Sequence, residues 1–467
     1  MRLETKFFEE GLRILHDESV DDVVSEYMDS AQDESVMLFN IGDMVQKVKN
    51  WKLKMPRVKP FYAVKCNPNP TVLKVLAALG TGFDCASKAE MRNIVDLGVN
   101  PSRIIYAHTV KPKSHIKEAA ALGINTMTFD NESELYKVKS VFPTARLVLR
   151  IRCDAKDSQC NLGMKFGANP EEIEPLLATV KALGLNFVGV SFHVGSGCRE
   201  PHIYYEAIQR ARDVFDLANS LGYSPYLLDV GGGFPGNLGT SIDEYAKYIN
   251  RALQEFFPDD DVHVIAEPGR YIVASAFSLL TSVTAKREVE KKDQRKKMMY
   301  YLNDGVYGSF NGILFDHQTP KPIVIGNALD EKKKNIPLFE SQIWGPTCDS
   351  VDEVIKTEML PELNVGEWLL WRDMGAYTLP SMTTFNGFPG PNIHLVVPYH
   401  TLLLEDILND KGQAALDKCS PLEPKGNQCD YPKIPSTRNL FEKDQDCHLM
   451  DQVKIAANIT TLRVLEI

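Results

Sequence analysis

The chain lacks what marks a nucleic-acid binder, a membrane protein or a secreted disulfide scaffold. Its 467 residues carry 52 Lys or Arg against 62 Asp or Glu, a net charge of -10, so there is no basic excess to neutralise phosphates. No apolar run approaches the roughly 20 residues of a membrane span; the longest, Tyr271–Val283, is broken by serines. The segment from Met1 has an acidic amphipathic character and no signal-peptide core. Cysteines number nine, an odd count at irregular spacing. That pattern argues against a disulfide framework and for a reducing, cytoplasmic setting. No cysteine pair has zinc-ligand spacing, so no metal is expected. In such a setting the sequons at Asn131 and Asn458 carry little meaning. No internal repeat stands out.

What is present suits an enzyme with two cores: 44% of residues are hydrophobic and 24% charged. Eight short apolar segments read as strands: Val58–Cys66, Thr81–Ala86, Arg103–Ala107, Thr126–Asp130, Ala145–Ile151, Phe187–His193, Tyr226–Gly231 and His263–Glu267. Helical patterns lie between them, among others Thr71–Leu79, Lys88–Leu97, Lys113–Leu122, Glu171–Leu183, Tyr205–Leu221 and Ile242–Phe257. Strands alternating with helices imply parallel βαβ units. Eight of them in about 210 residues are the size of one (β/α)8 barrel. The strands are apolar on both faces, as helix-covered strands should be.

A barrel makes a chemical prediction, because its active site sits at the C-terminal strand ends and phosphate is often held after strands seven and eight. Those ends carry Lys65, Asp84, His108, Asp130, Arg150, His193, Gly231-Gly232-Gly233 and Glu267, with Arg270 three residues on. Lys65 by itself is compatible with an apolar stem and a solvated ammonium. A ring of polar groups at equivalent ends, closed by a glycine run and an arginine, points instead to a site.

After Arg270 the texture changes. Ile272–Ala285, Met298–Leu302, Leu338–Trp344, Trp368–Trp371 and Ile393–Pro398 are short, β-prone and without helical stretches between them, which reads as an all-β domain. The expected organisation is an N-terminal segment, 1–42, packing with that domain; a barrel, 43–270; a β-sandwich, 271–410; and an extension, 411–467, with a last strand at Thr460–Ile467. The charge run Lys286–Lys297 reads as a solvated loop. Within the β domain, Trp344-Gly-Pro-Thr-Cys-Asp349 puts a thiol beside a carboxylate after a bend, a weak signal alone.

Six motifs in order carry a resemblance: Phe61-Tyr-Ala-Val-Lys-Cys-Asn67, Gly82-Phe-Asp-Cys-Ala-Ser-Lys88, Ser191-Phe-His-Val-Gly-Ser-Gly-Cys198, Leu228-Asp-Val-Gly-Gly-Gly-Phe-Pro235, Ala266-Glu-Pro-Gly-Arg-Tyr271 and Trp344-Gly-Pro-Thr-Cys-Asp349. The chain resembles the eukaryotic ornithine decarboxylases, pyridoxal-phosphate enzymes of fold type III with an alanine racemase-like barrel plus β domain. The likeness runs from about Phe39 to Asn392.

The resemblance implies roles. Lys65 would form the Schiff base with pyridoxal 5'-phosphate, Glu267 would face the pyridine nitrogen, and His193 would stack on the ring. Ser196, the amides of Gly231, Gly232 and Gly233, Arg270 and Tyr377 would take the phosphate, with Gly269 beside them. Asp84, Glu90 and Arg150 would support the lysine. Cys348 would protonate the substrate carbon, and with Asp349 it would come from the second subunit of a homodimer. Asp316 and Asp349 would hold the distal ammonium of a diamino acid, in a region lined by Tyr307 and Phe385. Gly375 would matter to the interface. The regulator antizyme is a candidate partner by the same likeness.

Several positions depart from the family pattern: Phe315 stands where it has tyrosine, Ser350 where it has glycine, Asn161 where it has arginine, and Tyr106-Ala-His-Thr-Val-Lys111 replaces its usual segment. Both substrate aspartates remain, so ornithine is the expected substrate. A paralogue acting on lysine, leucine or valine stays open, as does a catalytically inactive antizyme-inhibitor-like regulator.

Overall fold

The structure, a computed structural model, describes residues 12–16, 18–30, 33–290, 296–325 and 337–398. The expected C-terminal extension and its strand at Thr460–Ile467 lie outside these residues.

Eight parallel strands close the barrel: Val58–Ala63, Gly82–Cys85, Ile104–Tyr106, Thr126–Phe129, Arg146–Arg152, Asn186–His193, Leu227–Asp229 and His263–Ala266, the last pairing with the first. They coincide with the eight segments expected, and a helix follows each of the first seven. Local chemistry sets the helix ends. Asn69, Ser87 and Asn131 cap helices by accepting from backbone N–H groups of the first turn. Five barrel helices stop at a Leu-Gly pair, with Gly80, Gly98, Gly123, Gly184 and Gly222 at φ between +59° and +88°, the left-handed C-terminal cap that glycine adopts without strain. The Asn131 sequon is thus a helix cap.

The barrel is filled. Phe61, Ile105, Val148, Val188, Leu227 and Ile265, from six different strands, belong to a cluster of their own, apart from the larger core. Gly82 makes room for this plug: a methyl there would lie 2.5 Å from the Phe61 ring. The mouth therefore has a floor on which polar side chains can be fixed.

Nine further strands form one sheet, and Ser158–Cys160 pairs separately with Ser196–Cys198. Leu12–Leu15 and Val36–Asn40 belong to the nine-stranded sheet, so the described residues begin in it, enter the barrel, and return. Phe277–Glu290 is its spine. It pairs with Val36–Asn40 and Trp368–Trp371 in its first half and with Lys296–Leu302 in its second, with a register shift between Val283 and Ala285. Hydrogen bonding thus joins the strands into one branched sheet, with Phe277–Glu290 shared between its arms.

Two local expectations need correction. Lys286–Glu290 and Lys296–Lys297 are strand, not loop: they belong to an antiparallel ribbon in which Glu288 reaches diagonally to Lys296 at 2.9 Å. Ile272 and Val273, read as strand, lie in a helical turn, Arg270–Val273. The turn packs Tyr271 against Trp51, which in turn meets Phe234, and tertiary packing overrides β-branching.

The barrel and sheet are joined next to Lys65. Asn67 Nδ2 donates to Gly375 O (2.9 Å), Tyr377 N to Cys66 O (2.9 Å), and Gly375 N to Ala274 O (3.0 Å). A methyl on Gly375 would lie 1.8 Å from Val273 O. Gly375 thus lets the sheet's loop close on the barrel within one chain.

Candidate active site

Lys65 is not on the strand itself. The strand ends at Ala63, and Val64–Cys66 form a 3-10 turn that turns Lys65 into the mouth. Its ammonium pairs with Asp84 Oδ2, from the end of the next strand. Asp84 is fully buried, whereas the Lys65 side chain keeps 42% exposure toward the opening. Burial lowers the ammonium's pKa, but Asp84, Glu267 and Tyr377 together more than reverse this, so Lys65 is held charged. Asp84 Oδ1 is buried without a partner.

Across the mouth stand two carboxyl groups. Burial pushes Asp229 up to about 7, against the opposing hydrogen bond from Gly231 N at 2.9 Å. Burial, then Asp229 and Asp84, raise Glu267 well above the ordinary range. Asp229 thus strengthens Glu267's hold on its proton. His193 lines the same space. Burial, Arg150 and Lys65 depress its pKa strongly, so it is a neutral ring, and its Nδ1 accepts from Gly195 N at 3.1 Å.

The glycine run is a cradle. A methyl on Gly231 would stand 2.0 Å from Phe192 O, one on Gly232 2.9 Å from His193 Nε2, and one on Gly233 2.5 Å from Gly195 O. Beside it Arg270 donates from Nη2 to Ser196 Oγ at 2.9 Å and forks onto Asp316 at 2.7 and 2.8 Å. Its Nε is buried and unpartnered. Tyr377 lies under the guanidinium, 5.0 Å from ring centroid to Cζ, with φ at +56°, a strained backbone for a tyrosine. At Gly269 a methyl would meet Cys66 Cβ at 2.8 Å.

Two supporting residues act at one remove. Glu90 accepts from Ala86 N and so closes the helix start after Asp84. Arg150 lies over Phe166, 5.1 Å from its centroid.

The sheet residues form a second group. Tyr307 donates to Asp349 and stacks on Phe385 at 4.4 Å. Cys348 is exposed, with its N–H on Asn386 Oδ1 at 3.0 Å. Buried Asp352 ties both loops by accepting from Val306 N (2.8 Å), Thr347 N (2.9 Å) and Thr347 Oγ1 (2.7 Å). None of these partners belongs to the Lys65 group. Sequence reasoning named most members of both groups but missed Asp229, Asp352 and two amides on Asp316, Gln159 and Gln318. Asp229, two residues before the glycine run, was the one with a readable signal.

These residues fit pyridoxal phosphate: an amine in an open mouth, a glycine cradle, an unpartnered arginine N–H and a deep carboxyl pair. Residues 41–274 match the family model described as pyridoxal-dependent decarboxylase, pyridoxal binding domain. The chain is 48% identical over 389 residues to antizyme inhibitor 2 of Xenopus laevis, covering 81% of this chain and 84% of that one. It is 46% identical over 390 residues to ornithine decarboxylase of Rattus norvegicus, with the same coverage. Its structure is similar to that of the arginine decarboxylase of Paramecium bursaria Chlorella virus bound to agmatine, with a TM-score of 0.76, 37% identity, and 80% of this chain and 100% of that one covered.

Borohydride reduction of the protein loaded with pyridoxal phosphate is expected to leave a covalent adduct on Lys65 by mass spectrometry, and none in Lys65→Ala; an adduct that survives in the variant refutes the assignment. Asp229 gives a pH signature. Its carboxyl is raised on folding, so stability is present below about pH 4 and is lost as pH rises toward about 7. In urea melts of cofactor-free protein, Asp229→Asn should therefore gain on the parent between those values. Parallel curves would rule this out.

Proposed function

The chain belongs to the pyridoxal-dependent decarboxylases, and on that premise we propose that it converts L-ornithine to putrescine and carbon dioxide, the first step of polyamine synthesis. The observation that carries the choice of substrate is Asp316, a carboxylate only 8% exposed beside the phosphate-binding arginine. Burying that charge suits a cationic side chain better than leucine or valine. Phe315 is 67% exposed, so it takes no polar group away from this floor.

When bound, pyridoxal phosphate supplies a conjugated ring that accepts the electron pair left by carbon dioxide. The chain's residues make this usable. Lys65 would hold the aldehyde carbon, with Asp84 fixing the amine in place. Glu267, its carboxyl deep in the mouth beside Asp229, would hold a proton at the ring nitrogen. His193, neutral, would lie against the ring without adding charge. Arg270 Nε, Ser196 and the Gly231–Gly233 amides would take the phosphate. Cys348 Sγ would give a proton to the substrate α-carbon, and Asp316 and Asp349 would orient the distal ammonium.

Cys348 is exposed and half-buried Asp349 is held by Tyr307, with no bond from either to the Lys65 group, which supports a homodimer whose sites are completed by the second copy. Val351 on the same loop, and Phe385 and Phe388 on the neighbouring one, add exposed apolar surface suited to burial between subunits. A cytoplasmic location fits the cysteines among the described residues, all free thiols. The likeness to antizyme inhibitor 2 supports antizyme as a partner, while the complete set from Lys65 to Tyr377 favours catalysis over a purely regulatory role.

Carbon dioxide release by protein loaded with pyridoxal phosphate is expected to be fastest with ornithine among ornithine, lysine, arginine, leucine and valine. Release from leucine or valine alone would overturn the diamine reading, and silence on all five would overturn catalysis. Mixing Lys65→Ala with Cys348→Ala chains should restore about a quarter of wild-type activity, because random pairing puts one intact site in half of the dimers. Proven heterodimers without recovery would exclude shared sites.

A further inference from the structure

Asp316 is saturated within its own chain. Its Oδ1 accepts from Arg270 Nη2 at 2.7 Å, with Cys160 Sγ at 3.6 Å. Its Oδ2 accepts from Arg270 Nη1 at 2.8 Å, Gln318 Nε2 at 3.0 Å and Gln159 Nε2 at 3.2 Å. A carboxylate so occupied offers a distal ammonium no free lone pair. Arg270 serves two masters: the guanidinium that forks onto Asp316 also reaches Ser196 and keeps a buried, unpartnered Nε. Both side chains are more than nine-tenths buried, at 7% and 8% exposure, so neither charge is screened by water.

We propose that the Arg270–Asp316 pair couples the two halves of the site, so that the cofactor phosphate and the substrate's distal ammonium bind with positive cooperativity. A phosphate dianion drawn to Arg270 competes with Asp316 for the same positive charge. That leaves a buried carboxylate under-compensated, a condition that is strongly unfavourable. An ammonium arriving at Asp316 restores the balance and releases Arg270 to the phosphate. By linkage, each ligand must tighten the other to the same extent. Without the ammonium, Asp316 works against the phosphate. Gln159 and Gln318 fit this exchange: two neutral amides hold the carboxylate in place without neutralising it, so the incoming cation finds an oriented anion. The ammonium half of this inference rests on the proposed substrate role of Asp316; the competition for Arg270 does not.

The test uses the full cofactor-free chain and 4'-deoxypyridoxine 5'-phosphate, which carries the phosphate but no aldehyde to link to Lys65. Its Kd is read by fluorescence with and without saturating 1,4-diaminobutane, whose own binding is followed by calorimetry. In the parent the diamine is expected to lower the Kd about fivefold or more. Asp316→Asn should by itself bind the phosphate compound severalfold more tightly and lose the response to diamine. A diamine that binds the parent without changing the Kd overturns the coupling and leaves the substrate reading intact. A diamine that does not bind overturns both, and a variant that binds the phosphate compound no more tightly overturns the competition for Arg270. The diamine arm uses the parent alone, so a folding defect in the variant does not remove the test.

Discussion

The constraint on which the rest of this molecule depends is charge compensation at one end of a barrel. Asp84 and Asp229 are fully buried, and Arg270 and Asp316 nearly so. Removing one partner of a buried pair typically costs about 3–5 kcal/mol, so the surrounding elements must hold every partner in register. The filled barrel interior, the 3-10 turn at Lys65, the glycine run pressed against Phe192 and Gly195, and the positive φ of Tyr377 all serve that end. They place opposite charges together where water would otherwise have to solvate them.

The sheet domain is part of this arrangement rather than an appendage. Through Asn67, Gly375 and Tyr377 it is hydrogen-bonded to the turn that bears Lys65, and it delivers Tyr377 and Asp316 to the barrel's mouth. On another face it shapes the loop of Cys348 and Asp349, held by the buried carboxylate of Asp352. One domain thus contributes to two groups of functional side chains that share no hydrogen bond between their members.

Much of the barrel was legible because its signals are local. Asparagine and serine caps, Leu-Gly stops and apolar strands are set by a few neighbouring residues, and so the alternation of strand and helix could be read from position alone. Because barrel topology sends every strand end to the same mouth, Lys65, Asp84, His193, the glycines, Glu267 and Arg270 could be expected together. Misreadings came where long-range pairing decides. Lys286–Glu290 is strand because it pairs antiparallel with Lys296–Tyr300, a partner its local sequence does not reveal. The two-stranded pair that carries Gln159 to Asp316 joins Ser158–Cys160 to Ser196–Cys198, a pairing with no local signature.

The amino-acid sequence by itself determined the barrel, the second β-rich domain, the lysine and its acidic and phosphate-binding companions, since each follows from periodicity, turn chemistry or a motif of adjacent residues. Tertiary structure alone decided which charges meet. That Arg270 forks onto Asp316, that Asp229 stands beside Glu267, and that Asp352 ties two loops together depends on distances between residues tens of positions apart. Electrostatic energy follows separation in space and burial from water, and neither is encoded in the spacing along a chain.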